Sequence, residues 1–314
     1  MNSLPKFARI SAAAGAVVWL LLLLTVTSDS RETEIIHKVV FFGMLVIVPL
    51  ALSLVPIENE RGFYRVAVLV QPVAAVPAIA SFFFPAGFLA ASLSSAWLIL
   101  SILIALFGLT RFKSRGLYPV AESSVDAGLV YLTVAGGWLV VYRFGIQPLG
   151  YGETIILLTV VHFHFAGLGA PIIAGLSGRV LATRNYPRRM FGVCVFAIVG
   201  AMPLVAAGIT FSPWLGFVGT LLIAIGLVLL VLLTFGWVIP AVAPLTGRVL
   251  LAIGALSTCA AMVLASLYAY SLATKTLIID IPTMALTHGL LNAFGFVTCT
   301  LLAWTVITIR SRNV

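Results

Sequence analysis

Two histidines stand two positions apart where few ionisable side chains are tolerated. The stretch Glu153 to Ser177, ETIILLTVVHFHFAGLGAPIIAGLS, has the length of a membrane-crossing helix, and His162 and His164 fall near its middle. At that depth an imidazole meets no bulk water, so it faces a protein interior or cavity and marks a functional site by default. It can take and return a proton, orient an acid or ligate a metal. On a regular helix, residues two apart point about 200° away from each other. Both rings therefore reach one site only if the helix is distorted. Gly167, Gly169 and Pro171 follow at once, and Pro171 deprives the Gly167 carbonyl of its helical donor. A break or widened turn is expected there. The plainer alternative has one histidine bonded to a neighbouring helix and the other facing a polar cleft.

A second constellation is THGLLNAFGF, Thr287 to Phe296. His288 and Asn292 are four apart and share a helix face. Gly289, Ala293 and Gly295 would let another helix approach closely, so a packing seam in which Asn292 satisfies His288 is the competing reading. A third lies between Asp126 and Glu153, where Asp126, Tyr131, Trp138 and Arg143 are the polar and aromatic features of one span. Desolvation would favour a protonated Asp126, a candidate proton donor; its alternative is a first-turn charge complementing the helix dipole. Arg143 either contacts substrate or snorkels to headgroups. The Gly- and Pro-rich loop RFGIQPLGYGE is expected to fold back over a cavity mouth. Metal sites pair histidine with carboxylates or a spacing such as HExxH, and neither histidine motif has a carboxylate within its span. No metal and no cofactor is assigned.

These residues need a frame, and composition supplies it. The chain is 62% hydrophobic and 9% charged, with a mean hydropathy of +1.19, against about 25% charged in globular domains. Repeated apolar runs specify an all-α polytopic bundle, a single integral membrane domain over residues 1–314. Ten spans are expected (eight to ten): 8–27, 35–56, 66–85, 88–109, 122–142, 154–177, 190–210, 215–240, 249–273 and 283–309. The third and fourth join through FFFPAGF, a tight uncharged turn. The first apolar run is longer than a signal-peptide core and reads as a retained helix. Cys194, Cys259 and Cys299 lack CxxC spacing and read as small buried hydrophobes.

The net charge of +9 comes from basic residues in short loops, a sign of membrane orientation and not of nucleic-acid binding. With the N-terminus inside, inner segments hold 14 of the lysines and arginines, Arg61, Arg111, Arg115 and Arg312 among them, against 4 outside. Both termini are thus expected in the cytoplasm, and the protein in a cytoplasmic membrane among its lipids. Asp29, Glu34 and His37 then lie at the outer side. His162 lies about nine residues, roughly 14 Å, below the outer surface. His288 comes out at a similar depth, so His162 or His164 is expected to pack against it.

Together the runs YLTVAGGWLVVYRFGIQPLGY, LTVVHFHFAGLGAPIIAGL and THGLLNAFGF resemble the YndJ-like family of bacterial multipass membrane proteins. The resemblance covers roughly residues 120 to 310. It implies a ten-helix-like membrane fold with His162, His164, His288 and Asn292 as signature positions, and it implies no settled activity. Some members carry a further C-terminal soluble region, which a chain ending at Val314 is expected to lack.

The residues themselves suggest an intramembrane enzyme acting on a lipophilic, isoprenoid substrate by acid–base cyclisation or isomerisation. Asp126 or an outer carboxylate such as Glu34 would donate the proton, with His162, His164 or His288 as base or orienting partner. Asn292, Tyr131, Trp138, Arg143, Phe163 and Phe165 would line the site, the aromatics stabilising positive charge. The alternatives are a permease with a histidine relay, a His-ligated metal enzyme, and a sensory or assembly protein. The absence of a visible internal repeat counts against an inverted-repeat transporter.

Overall fold

The computed structural model describes residues 3–28, 30–55 and 61–310. Asp29, Arg312 and Pro56, at the end of the second expected span, lie outside them, as does the Arg61 side chain. Among the described residues, ten helices are long and apolar enough to cross a membrane. They are α1 Ser3–Thr25, α2 Arg31–Leu54, α3 Gly62–Phe83, α4 Phe88–Arg115, α5 Val120–Phe144, α6 Glu153–Leu181, α7 Arg188–Phe211, α8 Pro213–Ala241, α9 Leu245–Thr274 and α10 Ile281–Arg310. FFFPAGF does form the tight turn between α3 and α4.

Local chemistry sets the ends. Ser30 caps α2 by accepting from the Thr33 amide, and Asp280 caps α10 by accepting from the Thr283 amide at 2.8 Å. These hydrogen bonds from Thr283 hold the exposed Asp280 carboxyl below the usual aspartate range. α4 runs six residues beyond the expected end at 109. Lys113 and Arg115 suit its negative C-terminal dipole, and the helix stops only at Gly116, whose φ of 81° few other residues adopt.

The spans are not uniform α-helix. Widened π turns occupy Gly43–Ile47 in α2, Phe163–Gly169 in α6 and Thr234–Val238 in α8. In each case a proline, Pro49, Pro171 or Pro240, stands two positions after the turn. The carbonyl four residues before each proline falls inside the π turn, where widening relieves the ring clash. Pro72 and Pro77 in α3 and Pro203 in α7 sit in ordinary helix, so proline alone does not impose the turn. Two further π segments, Ala285–Gly289 and Leu291–Thr298, carry the THGLLNAFGF motif.

The chain packs as two compact units. The first comprises residues 1–116 and 126–169, the second 117–125 and 170–314. In lipid no hydrophobic force pulls helices together, so close contact and interhelical hydrogen bonds must. In the first unit α1 lies against α2 so tightly that a Cβ on Gly15 would stand 2.1 Å from the Leu45 carbonyl oxygen. Gln71 of α3 donates to the Met44 carbonyl at 2.8 Å, inside the α2 π turn. In the second unit α9 and α10 meet at bare backbone, Gly254 beneath Thr300 and Gly295 beneath Ser257.

Ten spans would return the chain to the side on which it starts, the cytoplasm by the charge bias. A single cysteine placed at the exposed Ala182, between α6 and α7, should resist impermeant maleimide on intact cells and react after permeabilisation. Labelling from outside would reverse the orientation.

Candidate functional site

The two histidines of HFHF part company. His164 is fully buried, its ring against the bare Cα of Gly43 in the α2 π turn and stacked on Trp97 of α4 at 5.7 Å between centroids. Trp97 Nε1 can only donate, and it lies 3.0 Å from His164 Nε2. Nε2 must therefore offer its lone pair, which leaves the proton on Nδ1 to be donated to the Val160 carbonyl at 2.8 Å. Both ring nitrogens are engaged. The expected widened turn is present, yet it does not swing both rings to one side. His162, the last α-helical residue before the turn, is exposed and bonds the Leu158 backbone.

His288 repeats the arrangement of His164 in the second unit. Its Nδ1 donates to the Ala261 carbonyl at 2.8 Å, and Asn292 Nδ2 lies 3.0 Å from Nε2. The shared helix face of His288 and Asn292 is thus real, and it serves a packing seam against α9. An apolar recess in this unit is lined by Ile173, Leu227, Thr234, Thr258, Phe296 and Thr300 among others, and His288 and Asn292 do not border it. Among the described residues, no three His, Cys, Asp or Glu side chains gather closely enough to hold a metal ion.

Neither nominated proton donor stands alone. Asp126 is buried with Arg111, whose Nε lies 2.7 Å from Oδ1, while Arg115 Nη2 lies 2.5 Å from Oδ2. A carboxylate whose two oxygens both accept from guanidinium groups is an ion-pair partner and not a donor. Glu34 pairs with Lys38 one helical turn on.

Arg143 does not snorkel. It is 6% exposed, and its Nη2 donates to the carbonyls of Ser81 at 2.9 Å and Phe84 at 2.6 Å, closing the C-terminal end of α3. Its guanidinium lies 5.0 Å from the Phe82 ring and 5.5 Å from Tyr142. His37 completes this outer cluster, its Nε2 2.7 Å from the Tyr142 hydroxyl. The sequence placed His37 and Arg143 at the same depth but did not join them. Matching polar residues by depth across helices would have done so.

The aromatic residues do assemble. Tyr131 meets Phe163 edge to face at 6.0 Å, and Trp138 meets Tyr151 at 5.7 Å. The loop after α5 therefore does fold back, onto its own helix. Phe165 is buried in the core of the first unit.

Among the described residues, ten helices long and apolar enough to cross a membrane, several with widened turns, define a multi-pass membrane protein. The family model described as YndJ-like protein matches residues 38–296, and the chain belongs to that family. The match begins within α2 and runs into α10. A curated relative, the "Uncharacterized membrane protein YndJ" of Bacillus subtilis (strain 168), is 25% identical over 283 residues, 89% of this chain and 50% of that protein. The chain spans about half the length of that relative. No solved structure matches.

Proposed function

We propose that the protein is an intramembrane enzyme performing acid–base chemistry on a lipophilic, isoprenoid-class substrate, with His162 as the group that meets it. One observation carries this reading. Of the motif histidines, His164 and His288 are buried in packing contacts, whereas His162, bonded to the Leu158 backbone, presents an exposed ring at mid-span. Its neighbour Phe163 forms an aromatic wall with Tyr131. An apolar molecule dissolved in the bilayer can reach such a ring laterally, without crossing water. Of the two reactions considered, isomerisation gains over cyclisation. Opening an epoxide or protonating an alkene needs a strong acid, and Asp126 and Glu34 are tied to cations. An imidazole can remove a proton from an activated carbon and return it to another with no net change in charge or composition. His164 and Trp97 act at one remove, holding the π turn and with it the direction of His162.

The test is turnover of a panel of polyprenyl lipids by the purified protein in nanodiscs, read by mass spectrometry and retention time. A new isomer of unchanged mass is expected from the wild type in ordinary water, carrying solvent deuterium when the reaction is run in heavy water, and none from His162→Ala. Tight binding with unchanged lipid would refute catalysis and favour carriage.

A further inference from the structure

Three aromatic residues of α5 fall on one line. Tyr131, Trp138 and Tyr142 are spaced by seven and four, which at about 100° per residue keeps them within roughly 20° of a common face. All three are half-buried. Each is extended by a ring or imidazole from elsewhere in the first unit: Phe163 at Tyr131, Tyr151 at Trp138 and His37 at Tyr142. The stripe spans about 16 Å, from the outer end of the helix to mid-span depth. At its lower end lies Phe163, next in chain to the exposed His162.

Its upper end is cationic. Arg143 follows Tyr142 directly and is buried, with two carbonyls and the Tyr142 hydroxyl, and not a carboxylate, as hydrogen-bond partners. Its Nε is enclosed and has no hydrogen-bond partner. Glu153 attracts it only through space. Burying a guanidinium without an anion bonded to it is unfavourable, and an unused N–H adds to that. A planar donor fork beside an imidazole and a phenol matches a phosphate group. A stripe of half-buried aromatic faces below matches an unsaturated chain.

Resting on the reading of this face as the substrate site, we propose that the first unit binds an isoprenoid phosphate. The phosphate sits at Arg143, His37 and Tyr142, and the chain runs down Trp138 and Tyr131 to His162. The phosphate is an anchor here and not a leaving group. It fixes which carbon of the chain reaches the imidazole, because the distance from head to base is set by the helix.

Binding to full-length protein in nanodiscs of neutral lipid decides this without requiring turnover. Farnesyl phosphate and farnesol are compared through tryptophan fluorescence and thermal shift. The phosphate should bind at least tenfold tighter than the alcohol. Arg143→Gln should erase that difference, and Trp138→Ala should weaken both ligands. Equal affinity of wild type for the two would overturn the proposal whether or not the variants fold. So would displacement of farnesyl phosphate by equimolar phosphatidylglycerol or by inorganic phosphate, since either would mean a site for any phosphate. Preference for the phosphate with no product would uphold this inference and sink catalysis. Product from neutral lipids without that preference would do the reverse.

Discussion

Replacing His164 by alanine should lower the thermal unfolding midpoint sharply, while the same change at His162 should leave the midpoint near wild type and remove activity. At position 164 the lost ring exposes a buried indole N–H, Trp97 Nε1, that has no other partner in view. Leaving a buried donor unsatisfied costs about 1–3 kcal/mol. The vacated space between Gly43 and Trp97 adds a cavity term, so a total of about 3–5 kcal/mol is expected. His162 is exposed, and substitutions at such positions usually stay within about 0.5 kcal/mol. Loss of a general base there should slow turnover by about 10²–10⁴-fold. Differential scanning fluorimetry in detergent and the isomerisation assay measure the two effects separately. A stable His164→Ala or an unfolded His162→Ala would invert the roles assigned to the pair.

That division between neighbouring histidines shows what the sequence could carry. Their divergence was legible, since residues two apart point to opposite faces. So was the widened turn, from Pro171 and the glycines before it. Which ring is buried was not legible, because burial depends on Trp97, 67 residues away, and on the missing side chain of Gly43. The ten spans were legible because each is an apolar run bounded by charges or turn residues. Arg143 was misjudged for a specific reason: its acceptors are backbone carbonyls at the end of α3, which every sequence possesses and none advertises. The partners of Asp126 stood closer to view. Arg111 and Asp126 were each placed near the cytoplasmic ends of consecutive spans, and opposite charges at equal depth on consecutive helices are natural partners.

Asp126 also separates a structural from a catalytic role most cleanly. Arg111 is 3% exposed, and its Nε is bonded to the aspartate carboxylate. Asp126→Ala would leave that guanidinium buried without its anion, and Arg115 without the carboxylate oxygen that its Nη2 bonds. Breaking one partner of a buried ion pair costs about 3–5 kcal/mol, so a strong fall in unfolding midpoint and in membrane yield is expected. Removing both charges should be far milder. In Asp126→Leu combined with Arg111→Leu, apolar side chains replace the pair, and such replacements are often neutral or stabilising. Stability should therefore return in the double variant although the aspartate is still absent. Activity should return with it, because the carboxylate serves α4 and α5 and not the substrate. A folded, stable double variant that turns over no substrate would restore Asp126 as the proton donor.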